Sequence, residues 1–446
     1  MKISVFGLGY VGCVSAACLA QDGHTVVGVD VDERKVSAVA EGHAPFLEPA
    51  LEELLSGARS RAALTATMNE AEAISATDMA LVCVGTPSER TGAIKLDALR
   101  TVLTSIGIAL REREAPFVVI LRSTVMPNVA EGQLIPLLER ASGKTLGDQL
   151  QFCYNPEFLR EGTAIRDFYE APIVVVGHNG SWAAQMVAEL YSKVNSPIVY
   201  TDIATACLVK YACNAFHALK VSFANEIGHL SESLNVDGQR VMEIVCMDTK
   251  LNISPMYLKP GFAFGGSCLP KDLRAVVAES RHRGLPLPVI QNILPSNKAH
   301  LESCIDCVLN TGAKAIGLFG LTFKEGTDDL RESPAVEFAE RLIGKGVDVT
   351  IYEPAISRET IHGTNLSFVE RNIPHIWKLL TNNLETMVQE VQVIVVLKKM
   401  NEQERHILEE LRADQVCMDL TGTIKLGEVK SQILKLGTPS SEVVLQ

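Results

Sequence analysis

Ile3-Ser4-Val5-Phe6-Gly7-Leu8-Gly9-Tyr10-Val11-Gly12 is a short β-rich run that breaks into three spaced glycines and continues in helix-compatible residues. In a G-x-G-x-x-G turn from strand to helix, Gly7 makes the tight turn, Gly9 lets backbone approach a pyrophosphate, and Gly12 lets the helix pack close to the strand. The helix N-terminus offers free N–H groups and a positive dipole end to phosphate. A second run, Val26-Val27-Gly28-Val29-Asp30, ends in an acid. A carboxylate there, about 20 residues on, accepts from both hydroxyls of an adenosine ribose and repels a 2′-phosphate. The expected cofactor is therefore NAD rather than NADP, with Lys35 nearby as the one residue that weakens the preference.

Working outward, the first 200 residues alternate β-rich runs (Ile3–Phe6, Thr25–Asp30, Ala80–Val84, Phe117–Leu121, Ile173–Val176) with helical stretches. That alternation predicts βαβ units and a parallel sheet, and the continuous Val/Ile runs predict strands buried on both faces. From Thr201 to Leu234 there is no Pro and one Gly, Gly228, which predicts one long helix. A shorter helical segment and a Gly/Pro-rich loop, Lys259–Pro270, follow. Alternation returns with Ala315–Phe319, Val347–Tyr352, Val391–Leu397 and Val416–Leu420, and a polar tail begins at Gly437. The expected fold class is α/β, with two Rossmann-like, doubly wound parallel-sheet domains joined by a long central helix. The divisions are 1–200 for the NAD-binding domain, 201–300 for a helical middle with the Gly/Pro-rich loop, and 301–446 for a second Rossmann-like domain.

Composition narrows the function. With 41 basic and 53 acidic residues the chain carries −12, which speaks against wrapping nucleic acid by bulk charge. No run of 18 apolar residues exists, so no membrane helix is expected. The first 20 residues imitate a signal peptide, but the dinucleotide loop accounts for their glycines. The 11 cysteines are scattered and odd in number, which with no export signal is read as reduced thiols in a cytoplasm. Cys304-x-x-Cys307 has no second pair or nearby His, so no metal is expected.

Further positions carry chemistry. Thr86, in Val84-Gly85-Thr86-Pro87, and Thr124, in Arg122-Ser123-Thr124-Val125, follow apolar strands, where they either touch cofactor or cap strand ends. Gly317–Lys324 has a strand and glycines without the dinucleotide pattern, and Lys324 and Arg331 are placed to neutralise phosphate. On the long helix, taking Lys210 as zero, Asn214 falls at about 40°, His217 at about −20° and Asn225 at about 60°. Four polar groups on one arc of an otherwise apolar helix predict a polar ligand against it. Cys268, after Gly265-Gly266-Ser267 and before Pro270-Lys271-Asp272, is placed at a helix N-terminus, where dipole and Lys271 favour thiolate. The glycines there are expected to give a substrate room. Glu157 and Glu161, spaced i, i+4 around Arg160, are expected on one helical face as a candidate acid–base pair.

These stretches, in order, resemble the UDP-glucose/GDP-mannose dehydrogenase family over nearly the whole chain. The resemblance runs through FGLGYVG, VGTP, RSTV, NPEFLREG, the helix of Lys210–Gly228, PGFAFGGSCLPKD and GLTFKEGTDDLRESP. PGFAFGGSCLPKD and Asn214-x-x-His217 lean toward the GDP-mannose branch. The resemblance implies a four-electron oxidation of a sugar-nucleotide C6 alcohol to a carboxylate with two NAD in turn. It implies dimerisation and a catalytic loop in 201–300, sugar-nucleotide binding in 301–446, and NAD contacts at Tyr10, Val11, Asp30, Lys35, Thr86, Thr124, Lys271 and Arg331. Sugar-nucleotide contacts are implied at Glu161, Lys210, Asn214, His217, Asn225, Tyr257, Lys259, Phe262, Gly265 and Lys324, with Cys268 as nucleophile and a homodimer or higher oligomer built on the central helix. Lys259 departs from the Arg of the similar GDP-mannose enzymes, and a point charge replaces a planar fork. The residues suit the chemistry on their own terms: Cys268 traps an aldehyde, Lys210 and Asn214 meet oxyanions, Asp272 or Glu157 activates water, and Thr124 holds it. UDP-glucose is the alternative substrate. A non-catalytic NAD-binding sensor explains the glycine loop but not Cys268, Lys210 and Asn214 together.

Overall fold

The structure is a computed structural model describing residues 1–87, 94–254, 258, 260–266, 269–322, 330–359, 361, 363–422, 424 and 431–435. The chain divides into two compact units, Met1–Ala218 and Leu219–Gln446.

The first unit holds an eight-stranded sheet of β1 (Lys2–Phe6), β2 (Thr25–Val29), β3 (Leu64–Thr67), β4 (Met79–Val82), β5 (Phe117–Leu121), β6 (Leu150–Tyr154), β7 (Val174–His178) and β8 (Ile198–Thr201). Its order is β3-β2-β1-β4-β5-β6-β7-β8. Val5 of β1 pairs with Gly28 on one side and Leu81 on the other. Alternating side chains feed two cores: Val5, Leu81 and Ile120 enter one, and Phe6, Val82 and Leu121 enter the other. Helices cover both faces, so the strands read as unbroken apolar runs. Strand order reverses beside β1, which places a ligand crevice at its carboxyl end.

The strands β3, β6 and β8 escape the pattern of Val/Ile runs. β6 carries Gln151, whose buried side chain donates to Gly147 O at 2.7 Å. A polar residue whose amide nitrogen reaches a neighbouring carbonyl hides the strand from a hydrophobicity reading. β6 and β7 pair antiparallel, while the other described pairs are parallel.

The second unit holds a six-stranded parallel sheet of β9 (Ala315–Phe319), β10 (Asp348–Tyr352), β11 (Leu380–Thr381), β12 (Val393–Val396), β13 (Val416–Asp419) and β14 (Gln432–Lys435), in the order β11-β10-β9-β12-β13-β14. Again the order reverses beside the first strand of the unit. The polar tail from Gly437 lies outside the described residues.

The expected long helix is Ile203–Ser233. It is not buried all round within this chain: Leu208, Phe216, Leu219 and Val221 are exposed. The helix Leu269–His282 places Pro270 in its first turn, where the missing N–H costs nothing. The helix Pro288–Leu309 starts on a carboxylate, because Glu226 accepts from Val289 N–H at 2.8 Å and Ile290 N–H at 2.9 Å. Among the described residues, no helix is long and apolar enough to cross a membrane.

Candidate active site

At the carboxyl end of β1, Gly7 has φ +92° and its N–H donates to Val29 O at 2.7 Å. A Cβ on Gly12 would lie 1.8 Å from Gly7 O, so the close crossing of loop and helix admits only glycine. A Cβ on Gly9 would meet no protein atom within 4 Å, which leaves that approach open to a ligand. The helix Tyr10–Gln21 has no side chain capping its N-terminus. Its first N–H groups are therefore available to phosphate.

Asp30 follows β2, and its carboxylate accepts from Leu8 N–H at 2.7 Å, Asp32 N–H at 2.9 Å and Lys35 Nζ at 3.5 Å. A cavity of about 230 Å³ beside it is lined by Gly7, Asp30, Val31, Met68, Val84 and Thr101, among others. Open glycine, uncapped helix and ribose acid together fit a dinucleotide. At the ends of β4 and β5, Thr86 Oγ1 donates to Thr124 O at 3.3 Å, so the two threonines form one edge.

Tyr10 and Val11 sit partly buried against the first core. The Tyr10 hydroxyl donates to Glu48 and accepts from Gly162 N–H at 2.9 Å. Glu48 also takes Gly162 N–H at 2.7 Å and Ala164 N–H at 2.8 Å. Burial, then the Glu48 carboxylate, pushes the Tyr10 hydroxyl well above its ordinary value, so it remains a phenol. Glu48 thereby ties the dinucleotide loop to the segment that follows Asn155. No local sequence pattern marks Glu48; its role comes from contacts more than 110 residues apart in the chain.

That segment corrects one expectation. Residues 155–160 are not helical, and Glu157 and Glu161 do not share a helical face. Glu157 turns inward and Glu161 is exposed. Arg160 is held by Asp167 at 2.7 and 3.0 Å. The reason is local: Pro156 biases Asn155 to extended backbone, and the Glu157 carboxylate caps its own turn through Leu159 N–H at 2.7 Å.

Lys210, 6% exposed, is brought to Glu157. Its Nζ donates to Glu157 O at 2.6 Å and pairs with the carboxylate at 3.0 Å. It also lies 5.4 Å from the centre of the Phe158 ring. A cavity of about 360 Å³ is lined by Phe158, Arg160, Asp167, Lys210, Asn214 and His217, with others. Three members of the polar stripe thus share one cavity. Asn225, on the same helix, is exposed and belongs to the second unit.

Beside the Gly/Pro-rich loop, Lys271 Nζ pairs with Asp272 at 2.9 Å on an exposed surface. The loop before it is fastened in the second unit. Asn297 Oδ1 accepts from Phe264 N–H at 3.0 Å, and its Nδ2 donates to Phe264 O at 2.8 Å. His300 Nε2 lies 2.8 Å from Gly261 O and 3.8 Å from Cys304 Sγ, so a histidine does stand near Cys304-x-x-Cys307, contrary to the expectation from sequence. A Cβ on Gly265 would lie 2.3 Å from Glu332 O, so the close approach of backbone on that side admits only glycine. Phe262 packs edge-on against Phe338 with ring centres 5.6 Å apart. Arg331 is half-buried. Cys268, Tyr257, Lys259 and Lys324 lie outside the described residues.

The other cysteines separate into two kinds. Burial pushes the thiols of Cys13, Cys18, Cys83, Cys153 and Cys207 up to about 12, and Cys304 up to about 11. Cys246 and Cys307 are exposed, and Cys213 lies between the two kinds.

Comparison with known proteins gives the same picture along the chain. Models of the UDP-glucose/GDP-mannose dehydrogenase family match its NAD binding domain at residues 1–195, its central domain at 204–299 and its UDP binding domain at 317–425. A GDP-mannose 6-dehydrogenase from Pseudomonas syringae pv. syringae is 42% identical over 95% of this chain and 96% of that one. A UDP-glucose 6-dehydrogenase from Haloferax volcanii is 37% identical over 79% of this chain and 83% of that one. A crystal structure of a ternary complex of GDP-mannose dehydrogenase from Pseudomonas aeruginosa superposes with a TM-score of 0.92 at 39% identity, covering 97% of this chain and 99% of that one. The glycine crossing at Gly7 and Gly12, the acid at Asp30 and these matches lead to one conclusion: the chain belongs to the UDP-glucose/GDP-mannose dehydrogenase family and is an NAD-dependent enzyme of it.

Proposed function

We propose that the chain oxidises the C6 alcohol of GDP-mannose to the carboxylate, giving GDP-mannuronate, an activated uronate for a polysaccharide such as alginate. The observation that carries the reading is Lys210, held by Glu157 and lining one cavity with Asn214 and His217. NAD, when bound, accepts the hydride in each of the two oxidations. Lys210 and Asn214, one helical turn apart, meet the oxygen that gains negative charge. The Cys268 thiolate adds to the aldehyde carbon, and the thiohemiacetal still carries the hydrogen that leaves in the second oxidation. The resulting thioester is cleaved by water, which restores the thiol and releases the carboxylate. Glu157 or Asp272 takes the water's proton, and Thr124 holds the water.

Cofactor contacts are assigned to Gly7, Gly9, Tyr10, Val11, Gly12, Asp30, Lys35, Thr86, Thr124, Lys271 and Arg331. The sugar nucleotide is assigned to Glu161, Lys210, Asn214, His217, Asn225, Tyr257, Lys259, Phe262, Gly265 and Lys324. Exposed Leu208, Phe216, Leu219 and Val221 on the long helix support a homodimer through it. The compartment assigned is the cytoplasm.

UDP-glucose is the second reading, because Lys259 stands where similar GDP-mannose enzymes tend to have Arg, and a point charge fixes a base edge less specifically than a planar fork. NADH formed per sugar nucleotide, measured with GDP-mannose and with UDP-glucose, tests both. The expected result is two NADH per GDP-mannose and little turnover of UDP-glucose. Cys268→Ser should keep both ligands and lose turnover, because its hydroxyl is far less ionised than a thiol. Full activity in Cys268→Ser overturns the thioester route.

A further inference from the structure

Beyond β2 the chain runs Asp30-Val31-Asp32-Glu33-Arg34-Lys35, and both cations are taken by an acid. Lys35 Nζ lies 3.5 Å from Asp30 Oδ2. The Arg34 guanidinium meets Asp32 through Nε at 3.2 Å and Nη2 at 3.1 Å. Asp32 also caps the helix Glu33–Glu41, accepting from Arg34 N–H at 3.0 Å. A cap needs no charge, since Ser or Asn serves as well. The pair with Arg34 is at the surface, with 92% of the arginine side chain exposed, so it adds little stability. Neither role explains why the cap is an acid.

The surroundings of the Asp30 carboxylate show what that charge does. Asp32 N–H donates to Asp30 Oδ1 at 2.9 Å and Leu8 N–H to Oδ2 at 2.7 Å, with Lys35 Nζ 3.5 Å from Oδ2. Take the carboxylate away and two backbone donors and a cation face the space it filled, with Arg34 two residues beyond one of the donors. That donor set suits a phosphate. The 2′-phosphate is the group by which NADP differs from NAD, and it sits at the ribose position that Asp30 is placed to meet. A carboxylate on residue 32 sets like charge beside that space. It also occupies the planar fork of the arginine that would otherwise serve a phosphate.

We infer that Asp32 is a second residue that determines specificity for NAD: Asp30 fills the place of a 2′-phosphate, and Asp32 keeps that place closed to one, by like charge and by withholding Arg34. The exclusion of NADP is therefore carried by two acids, and removing Asp30 alone lifts only part of it. The inference rests on the reading of Asp30 as the ribose acid.

The test is the Kd of NAD and of NADP, measured by calorimetry on the full chain without sugar nucleotide, so the identity of the sugar does not enter. The variants are Asp30→Ala, Asp32→Asn, the two combined, and the combination with Arg34→Met. Asn keeps the cap and the shape and drops the charge, so an Asp32 that only caps its helix leaves the ratio of the two Kd values unmoved. Adding Asp32→Asn to Asp30→Ala should tighten NADP by about 10-fold or more, the scale of hydrogen bonds to a charged group. Arg34→Met in that background should take back most of the gain, because the released arginine supplies it. An NADP Kd that Asp32→Asn leaves within about twofold of Asp30→Ala overturns the inference. A gain that Arg34→Met leaves intact overturns the part assigned to Arg34. If the Asn variants do not fold, Asp32→Ser, which also caps, carries the test with the same outcomes. NAD binding left at its native strength in Asp30→Ala would instead remove the ribose reading of Asp30, a failure distinct from that of Asp32.

Discussion

Lys398 Nζ lies 2.6 Å from Glu353 Oε1, just beyond the end of β10, where the first unit has Asp30 just beyond the end of β2. The two units use the same backbone device. Leu8 N–H donates to Asp30 at 2.7 Å, and Leu321 N–H donates to Glu353 at 3.0 Å. Gly7 and Gly320 precede those N–H groups at φ +92° and +105°. The difference is the occupant. A Cβ on Gly320 would lie 2.8 Å from Lys398 Cγ, whereas one on Gly7 would meet Cys83 and Val84 at 3.1 Å. Both acids have a lysine, but Lys398 is mostly covered and 2.6 Å from Glu353, whereas Lys35 is more exposed and 3.5 Å from Asp30.

That pair makes a stability prediction. Glu353 is fully buried, so Lys398→Met leaves an unpaired charge and should cost about 3–5 kcal/mol. The chain has two tryptophans, Trp182 in the first unit and Trp377 in the second, so urea unfolding followed by fluorescence in a Trp182→Phe background reads the second unit. A loss below about 1 kcal/mol would contradict a charge held by Lys398.

The same carboxylate sets an acid dependence. Burial raises the Glu353 pKa, but the bonds from Lys398 and Leu321 N–H outweigh it and the net shift is downward. A lowered folded value means the contribution is fully present above the unfolded value of about 4.3 and is lost as pH falls through the folded one. The Trp377 transition should weaken below about pH 4, and less so in Lys398→Met.

Gly9 and Gly12 should fail in different ways. Gly12→Ala drives a methyl into Gly7 O and should destabilise the first unit by about 1–3 kcal/mol or more. Gly9→Ala meets no protein atom within 4 Å, so the thermal midpoint should hold while NAD binding falls. Calorimetry with and without NAD separates the two, and equal loss of fold in both variants would refute the assignment.

Asp30→Ala should raise the NAD Kd by roughly 10- to 100-fold, the scale of hydrogen bonds to a charged group. The gap to NADP should narrow, since the repulsion of a 2′-phosphate goes with the carboxylate. Equal use of both cofactors by the native enzyme would remove the basis for the assignment.

His217→Ala and Asn225→Ala should raise the GDP-mannose KM more than the NAD KM. The contrast within the pair is informative, because His217 lines the cavity with Lys210 and Asn225 does not. A large NAD effect with unchanged sugar-nucleotide KM would place the stripe in the wrong pocket.

What was legible in the sequence was what repeats locally. The runs at Ile3 and Phe117, the three glycines and the acid at Asp30 are local patterns, and β1, β5 and the first crevice follow from them. β6 was missed because Gln151 finds its acceptor four residues away and interrupts an otherwise apolar strand. The i, i+4 spacing of Glu157 and Glu161 misled because Pro156 and the self-capping carboxylate keep that segment out of a helix. Glu48 and Lys398 act through partners tens of residues away, and no window contains both members. Glu353 was within reach, because it mirrors Asp30 just beyond a strand end.

The double tether on Asp30 has a consequence for the energetics of cofactor capture. Its carboxylate is already fixed by Leu8 and Asp32 N–H, which take one oxygen each. An ionised carboxylate has about four acceptor sites, so the ribose finds vacant lone pairs on a group that no longer rotates. The rotamer entropy of that side chain is lost during folding rather than on association, and each hydroxyl bond contributes to affinity without that deduction.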